Sequence, residues 1–352
     1  MQVEAEIFVG VTTGNGVVDR VDVTSKRKVG ASSLFIGMEP ERAISFIPML
    51  YSVCARAQTV AAMKAVSLAL GLDPSRSRKI LWQRSVLLET AIEHLWKIHI
   101  DWADYLGIFG DRAAFAMIRK EISASFPDLY WGNPETVVNL PDIGGIAAKL
   151  RQHLREHVFG VSPEEFLAME DIGALPDCPV SRLVYHLKEI GGREGFHALA
   201  ENADFASLRM RLDTEPGFAM RPDLHGAPCE TGPLARMHSH PMVKCIANIV
   251  PARFVARMLE LAGLPGRLEE GGAGPDHVES ARGALLHSVR IEDGRISRYG
   301  ILAPTEWNFH PQGALARGLL GLDAGGDLGK IAEALILSLD PCTGFELRIN
   351  NA

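Results

Sequence analysis

The spacing of apolar residues constrains the fold of this chain most, because it is helical over long stretches and strand-like over short ones. Helices are predicted at about residues 39–70, 75–105, 241–264 with a break at Pro251, and 328–339. A capping box formed by Ser162 and Glu165 marks the start of a further helix. Strands are predicted at about residues 3–10, 17–23, 283–291 and 295–303, the last two as a hairpin. The pattern therefore predicts a mainly α fold with a small β portion.

Composition bounds the size and the class of the protein. Its 352 residues, 47% of them hydrophobic, suffice for a substantial core, and a single domain over residues 1–352 is predicted, with a possible loop or linker at 265–275. The net charge of −7 argues against nucleic-acid binding. No apolar run is long enough to span a membrane, and residues 1–6 lack the features of a secretory signal. The cytoplasm is therefore the predicted location.

The five cysteines are too widely spaced for a disulfide framework or a zinc ribbon, since no two form a Cys-x-x-Cys pair. They are Cys54, Cys178, Cys229, Cys245 and Cys342. A single cysteine is most often a small buried hydrophobic residue. Cys342 has an additional feature, because it follows the predicted apolar helix at 328–339 directly after Asp340 and Pro341. A thiol there is positioned by a rigid element and has backbone and solvent nearby.

This C-terminal segment resembles the Asp-Pro-Cys-x-x-Cys-x-x-His signature that closes the large subunit of nickel–iron hydrogenases. The match holds at Asp340, Pro341 and Cys342. It ends there, because Phe345 stands in place of the second cysteine and Arg348 in place of the histidine. The C-terminal half of the family's metal-binding motif is thus only partly present.

The rest of the chain extends the resemblance in the right order. The family's N-terminal motif, Arg-x-Cys-Gly-x-Cys-x-x-x-His, is matched at Cys54, the position of its second cysteine. Its other positions are occupied by Met49, Tyr51, Ser52 and Gln58. Segments 230–236 and 252–257 are similar to the family's central helices, 279–296 to the segment with its active-site arginine, and 304–311 to its Pro-Thr-x-Trp-Asn block. Residues 110–225 match poorly.

The resemblance implies a reduced metal site. In the family, four thiolates hold a nickel beside an iron that carries carbon monoxide and cyanide, and this sequence keeps two of them. A complete nickel site and hydrogen turnover are therefore not expected, and no residue is assigned a catalytic role. Cys54 and Cys342 are the candidate metal ligands for an iron with cyanide and carbonyl ligands, unless they are inherited but inert. If they share one metal, their sulfur atoms must lie within a few ångströms of each other.

Two further residues are candidates for binding the cofactor. Arg282 matches the arginine that lies against the cyanides in the family, and a guanidinium presents several donors in a fixed fork. Asp340 either supports this arginine or caps the local turn. Both assignments come from the resemblance.

The implied function is that of a non-catalytic accessory protein in nickel–iron hydrogenase maturation, which scaffolds or protects the Fe(CN)2CO unit during active-site assembly. The expected partners are other maturation proteins, the precursor of the hydrogenase large subunit, or both. One alternative is a metal-free interaction protein that binds maturation partners through the large-subunit shape. Another is a relative of the quinone-pocket subunit of respiratory complex I, although that subunit does not keep Asp-Pro-Cys at its end.

Two groups of histidines lie outside these motifs. His238 and His240, followed by Cys245, have the composition of a transition-metal site, although nothing in the resemblance supports one there. His94 and His99 are instead predicted to pack between helices with polar tips.

Overall fold

A computed structural model of the protein describes residues 7–26, 29–108, 110–129, 131, 142–190, 196–199 and 203–351. The strands are β1 (Ile7–Gly14), β2 (Val17–Ser25), β3 (Val278–Ser280), β4 (Gly283–Glu292), β5 (Arg295–Leu302) and β6 (Phe345–Asn351). The first four residues of the strand predicted at 3–10 lie outside the described residues. β6 was not predicted from the sequence.

The α-helices account for most of the regular structure, as predicted. They are α1 (Pro40–Leu50), α2 (Ala55–Ala69), α3 (Arg76–Trp96), α4 (Trp102–Leu106), α5 (Arg112–Ala124), α6 (Ile143–Leu154), α7 (Pro163–Ala168), α8 (Pro179–Leu187), α9 (Phe205–Thr214), α10 (Pro233–Met237), α11 (Pro241–Lys244), α12 (Ile249–Glu270), α13 (Pro304–Asn308), α14 (Ala314–Leu319) and α15 (Leu328–Leu339). Two π-helical turns, Lys97–Asp101 and Arg155–Phe159, continue α3 and α6.

Several local predictions are confirmed by the geometry. The Ser162 hydroxyl accepts a hydrogen bond from the Glu165 N–H (3.2 Å), and the Glu165 carboxylate accepts one from the Ser162 N–H (2.8 Å). The β4–β5 hairpin turns at Asp293 and Gly294, whose φ angles of 50° and 73° are those of a two-residue hairpin turn. Helix α15 has the predicted bounds.

Contacts divide the chain into two compact units. Unit 1 comprises Met1–Asp73, Gly191–Ala235 and Pro275–Ala352. Unit 2 comprises Pro74–Ile190 and Arg236–Gly274. The single domain over residues 1–352 stays a prediction.

Unit 1 contains two small sheets. In the first, β1 lies between β2, which is antiparallel to it, and β6, which is parallel to it. In the second, β3, β4 and β5 follow one another in antiparallel order. Helix α2 packs against β3 and β4, and α9 packs against β4 and β5. The buried side chains beside β4 and β5 are Leu199, Leu208, Leu212, Phe218, Cys229, Ala284, Leu286, Leu302 and Trp307.

Unit 2 is built around α12. This helix is buried along nearly its whole length and packs against α3, α6, α7 and α8. A helix that is apolar on more than one face is stable only when neighbours cover it on several sides. These helices provide that cover.

The prediction of one helix over residues 39–70 is wrong at its centre. Helix α1 ends at Leu50 and α2 begins at Ala55, so Cys54 occupies the N-cap position of α2 instead of a place inside a helix. Pro48 lies within α1 and cannot donate a backbone hydrogen bond, which weakens the last turn of that helix. Periodicity alone does not reveal such a break, since the apolar spacing continues across it.

The prediction for residues 241–275 is also wrong in detail. The break falls between α11 and α12, and Pro251 lies in the first turn of α12, where a missing N–H removes no hydrogen bond. Helix α12 continues through Pro265 to Glu270, so the loop predicted at 265–275 begins only at Gly271. Burial of Leu264 and Leu268 holds the helix together past the proline.

No helix in the described part of the chain is both long and apolar enough to cross a membrane.

Candidate functional site

Cys342 is placed by the end of α15. Asp340 adopts a left-handed backbone conformation (φ 55°) at the C-cap, and its N–H donates to the carbonyls of Ile336 and Leu337. The chain then turns away from the helix axis, and Cys342 is half-buried two residues later. Its Sγ lies 3.2 Å from the Thr305 hydroxyl on α13. If Cys342 is a thiolate, this hydroxyl must be the donor.

Arg282 and Asp340 are brought together as a buried ion pair. The Arg282 Nη2 lies 3.4 Å from the Asp340 Oδ1, and both side chains are at least nine-tenths buried. The two residues are 58 positions apart, so tertiary packing of the β3–β4 turn against the end of α15 makes the contact. The structure shows features of both roles predicted for Asp340, because this residue contacts the arginine and also forms the C-cap of α15.

The β3–β4 turn that carries Arg282 is fixed by hydrogen bonds to the backbone. The Asn308 side chain donates to the Arg282 carbonyl (3.3 Å) and accepts from the Thr231 N–H (2.9 Å). The Thr231 hydroxyl accepts in turn from the Ala284 N–H (2.9 Å). Gly232 has a φ of 115°, and a Cβ there would lie 2.8 Å from the Arg282 carbonyl oxygen. Only glycine permits this close approach.

Cys54 is contacted by the side chain one turn further along α2. The Gln58 Nε2 lies 3.7 Å from the Cys54 Sγ, as the spacing of four residues on a helix allows. The Gln58 Oε1 lies 2.8 Å from the His287 Nε2 on β4, and the His287 Nδ1 lies 2.9 Å from the Tyr299 hydroxyl on β5. Gln58, His287 and Tyr299 are all buried. They form a hydrogen-bonded chain that ends on a half-exposed thiol.

All four predicted site residues therefore lie in unit 1. Arg282 contacts Asp340, and Cys342 follows Asp340 by two residues. Cys54 is connected through Gln58 and His287 to β4, the strand that begins directly after Arg282. Joint binding of one metal by Cys54 and Cys342 stays a prediction.

The candidate donors suit one part of the nickel–iron unit that the motifs imply and not the other. Among the described residues, no three or more His, Cys, Asp or Glu side chains are arranged to hold a metal ion. A nickel site of the hydrogenase type, which needs four thiolates, does not fit this chain. An iron that arrives with two cyanides and one carbonyl needs fewer protein ligands, and soft thiolates suit it. Two thiols and a buried guanidinium are compatible with such a unit.

Two histidines outside the motifs, His240 and His94, make hydrogen bonds within unit 2. The His240 Nδ1 accepts from the Met242 N–H at the start of α11, and its Nε2 lies 3.1 Å from the Leu167 carbonyl. His94 lies between Arg257 and Glu260 in a buried network. The prediction that His94 packs between helices with a polar tip is confirmed.

Sequence reasoning missed Gln58 and Thr305 as neighbours of the thiols, and His287 and Tyr299 as partners behind Gln58. Three of these four residues stood in motifs that were recognised, since Gln58 occupies the family's histidine position, His287 follows Arg282 and Thr305 is the second residue of the Pro-Thr-x-Trp-Asn block. A signal was therefore present for these three, but their partners lie up to 229 positions away. Tyr299 had no signal beyond its place in a strand.

Comparisons with known proteins support the resemblance read from the motifs. A family model described as nickel-dependent hydrogenase matches residues 265–342. The chain is 26% identical to the hydrogenase expression/formation protein HupK of Rhizobium leguminosarum bv. viciae, an alignment that covers 98% of this chain and 97% of that protein. It is 27% identical to the hydrogenase expression/formation protein HoxV of Cupriavidus necator, over 92% of this chain and 91% of that protein.

The fold is shared with catalytic large subunits. The chain superimposes on the nickel–iron–selenium hydrogenase of D. vulgaris Hildenborough with a TM-score of 0.66, 16% identity and coverage of 94% of each chain. The predicted hydrogenase-large-subunit-like fold is confirmed, and so is the resemblance to hydrogenase expression/formation proteins.

Proposed function

We propose that this chain, similar over nearly its whole length to hydrogenase expression/formation proteins, is a non-catalytic accessory protein in nickel–iron hydrogenase maturation. In this proposal its cargo is an iron with cyanide and carbonyl ligands, which it holds before the unit reaches the hydrogenase precursor. The observation that carries the proposal is the selective retention of site residues. The buried Arg282–Asp340 pair is kept beside Cys342, while Tyr51 and Phe345 occupy the places of two family cysteines.

Each retained residue has a distinct task in this proposal. Cys54 and Cys342 bind the iron as thiolates. Arg282 offers hydrogen-bond donors to cyanide nitrogens, and Asp340 holds the guanidinium in place through the buried ion pair. Thr305 donates to the Cys342 sulfur. Half-exposure of both thiols suits a site from which the cargo has to leave.

The non-catalytic part of the proposal has a direct test. The purified chain is expected neither to take up nor to evolve hydrogen when nickel is supplied, because two of the four nickel-binding thiolates are replaced. Hydrogen turnover is measured in a preparation free of the cognate hydrogenase. Reproducible turnover would show that the chain is an enzyme.

The accessory role is tested by complementation. A strain that lacks this chain receives the wild-type gene, Cys54→Ser, Cys342→Ser, or Cys245→Ser as a matched control from an exposed position in unit 2. Hydrogenase activity is expected to recover with wild type and Cys245→Ser and to fall at least tenfold with either site variant. Full recovery with both site variants would exclude cargo binding by these thiols.

A second candidate function, a metal-free interaction protein, is favoured by one surface. Met49, in the last turn of α1, is 75% exposed, and Val53, in the segment between α1 and α2, is 45% exposed. Exposed apolar patches often mark protein contacts. In this case Met49→Asp with Val53→Asp would abolish maturation while the two cysteine variants support it fully. The opposite pattern favours cargo binding.

A further inference from the structure

We propose that Gln58, held in a fixed orientation by His287 and Tyr299, is a positioning residue that donates a hydrogen bond to the Cys54 sulfur. The inference rests on the proposed function, since it takes Cys54 as a ligand of the iron cargo. It adds that Cys54 is oriented by three buried neutral side chains, which are hydrogen-bonded to one another in a row. This row joins α2 to both strands of the β4–β5 hairpin.

The direction of these hydrogen bonds follows from the inventory of donors and acceptors. His287 has one proton when neutral, and the Gln58 Oε1 is an acceptor that requires it on the Nε2. The Nδ1 then accepts from the Tyr299 hydroxyl. Burial raises the pKa of Tyr299, so this hydroxyl keeps its proton. With its oxygen occupied, the Gln58 amide directs its N–H groups to the Cys54 sulfur.

The fixed direction matters because a free glutamine side chain can present either its oxygen or its nitrogen. An oxygen facing the sulfur would repel a thiolate, whereas an N–H stabilises it. Cys54 is also the N-cap residue of α2, a 15-residue helix whose N-terminal end favours negative charge. Both features act in the same direction and prepare Cys54 to bind a cation.

The orientation also restrains the rotamer of Cys54. Cys54 is outside the helical backbone conformation (φ −125°, ψ 43°) and is half-buried. The Gln58 contact supplies a restraint from the helix side. His287 and Tyr299 hold Gln58 in place, because both lie at buried, paired positions of the β4–β5 hairpin.

The test measures the reactivity of each cysteine in the full-length, metal-free chain. Alkylation by iodoacetamide at neutral pH is followed peptide by peptide, so that Cys54, Cys342 and Cys245 are compared in one sample. Gln58→Met keeps the length of the side chain but removes the donor. Gln58→His restores a donor, and Tyr299→Phe removes only the hydroxyl that orients His287.

The expected result is a change confined to Cys54. Gln58→Met removes the N–H that orients the Cys54 sulfur and stabilises negative charge on it, so alkylation of Cys54 is expected to slow about three- to tenfold. Tyr299→Phe is expected to slow it about twofold, and Gln58→His to return it to within about twofold of wild type. Cys342 and Cys245 should react at unchanged rates, which also reports an intact fold.

Other outcomes overturn the inference. A faster reaction of Cys54 in Gln58→Met would mean that Gln58 only covers the thiol, and an unchanged rate would mean that it does not donate to it. Infrared spectra of the iron-loaded chain separate this result from the proposed function. Cyanide and carbonyl bands in wild type with no effect of Gln58→Met on the Cys54 rate would reject the positioning role alone. Slower alkylation of Cys54 in Gln58→Met, together with a wild-type chain that shows no cyanide or carbonyl bands, would reject the cargo alone.

Discussion

The buried network of unit 2 and the thiol site of unit 1 use similar residues in different ways. In unit 2, the Glu260 carboxylate lies 2.8 Å from the His94 Nε2 and 2.7 Å from the Arg236 Nε, and each group faces a partner inside the unit. In unit 1, the row of hydrogen bonds that runs from His287 through Gln58 ends on the sulfur of Cys54, which is half-buried. A closed network stabilises a fold, whereas a row of hydrogen bonds that ends at a half-buried thiol presents a reactive atom.

The two histidines at the centres of these networks show the difference. His94 separates an arginine from a carboxylate, so its neighbours carry opposite full charges. His287 separates a hydroxyl from an amide, so its neighbours are neutral. Removing a member of the charged network leaves a buried charge without compensation, and that is costly. Removing a member of the neutral hydrogen-bonded row is expected to change the reactivity of the Cys54 sulfur more than the free energy of unfolding.

The largest expected effect comes from the carboxylate of unit 2. Glu260→Gln removes the buried carboxylate charge that pairs with Arg236 and contacts His94, so the free energy of unfolding should fall by about 3–5 kcal/mol. Urea unfolding measures this loss. Glu269→Gln is the matched control, because this residue lies on the same helix and pairs with Arg151 at an exposed position. It is expected to lower the free energy of unfolding by less than about 1 kcal/mol. Equal losses would show that Glu260 is not the centre of a closed network.

Acid pH should also act on unit 2. Burial lowers the pKa of His94 to about 4, of His99 to about 4 and of His153 to about 3. In the unfolded chain these histidines take up protons as the pH falls through 6.5, whereas the folded chain keeps them neutral until about pH 4. Stability present at neutral pH is therefore lost between about pH 6.5 and pH 4. A pKa difference of about 2.5 corresponds to about 3 kcal/mol for one histidine.

This loss is measured by urea titrations at several pH values across that window. His153→Gln removes one of the titrating groups, so the slope of the free energy of unfolding against pH should be smaller by about one proton. His186→Gln, at an exposed position of α8, is the matched control for exchanging a histidine for glutamine. An identical slope in wild type and His153→Gln would contradict the burial of this histidine as a neutral group.

The smallest effect on stability is expected at the thiols. Cys54→Ser and Cys342→Ser exchange half-exposed sulfur atoms for oxygen and should each change the free energy of unfolding by less than about 1 kcal/mol. The same urea titration that reports Glu260→Gln gives the direct comparison. A loss of several kcal/mol in either serine variant would identify a structural cysteine and would remove the contrast between the two regions.

The sequence predicted those parts of the fold whose signals are local. Helix α15, the β4–β5 hairpin and the Ser162 capping box depend on neighbouring residues, and all three are observed as predicted. β6 was missed because its partner β1 lies at the other end of the chain. The extension of α12 past Pro265 was missed because packing by its neighbours outweighs the local preference to end there.

The candidate site was predictable to a similar extent. Its four residues were identified from motifs, and the contact between Arg282 and Asp340 agrees with one of the two roles predicted for Asp340. The break before Cys54 and the donors Gln58 and Thr305 were not predicted, since they depend on where α2 begins and on contacts between distant segments. Motif reasoning thus gives the four candidate residues, while the side chains that contact them are evident only in the folded chain.

The central claim is that Cys54 and Cys342 hold an iron with cyanide and carbonyl ligands. Infrared spectroscopy of the chain purified without oxygen from its native background tests it most directly, because few other groups in a protein absorb where cyanide and carbonyl ligands do. The wild-type chain and Cys245→Ser should show these bands, and Cys54→Ser and Cys342→Ser should lack them. A wild-type chain without the bands, or unchanged bands in both site variants, would contradict the claim.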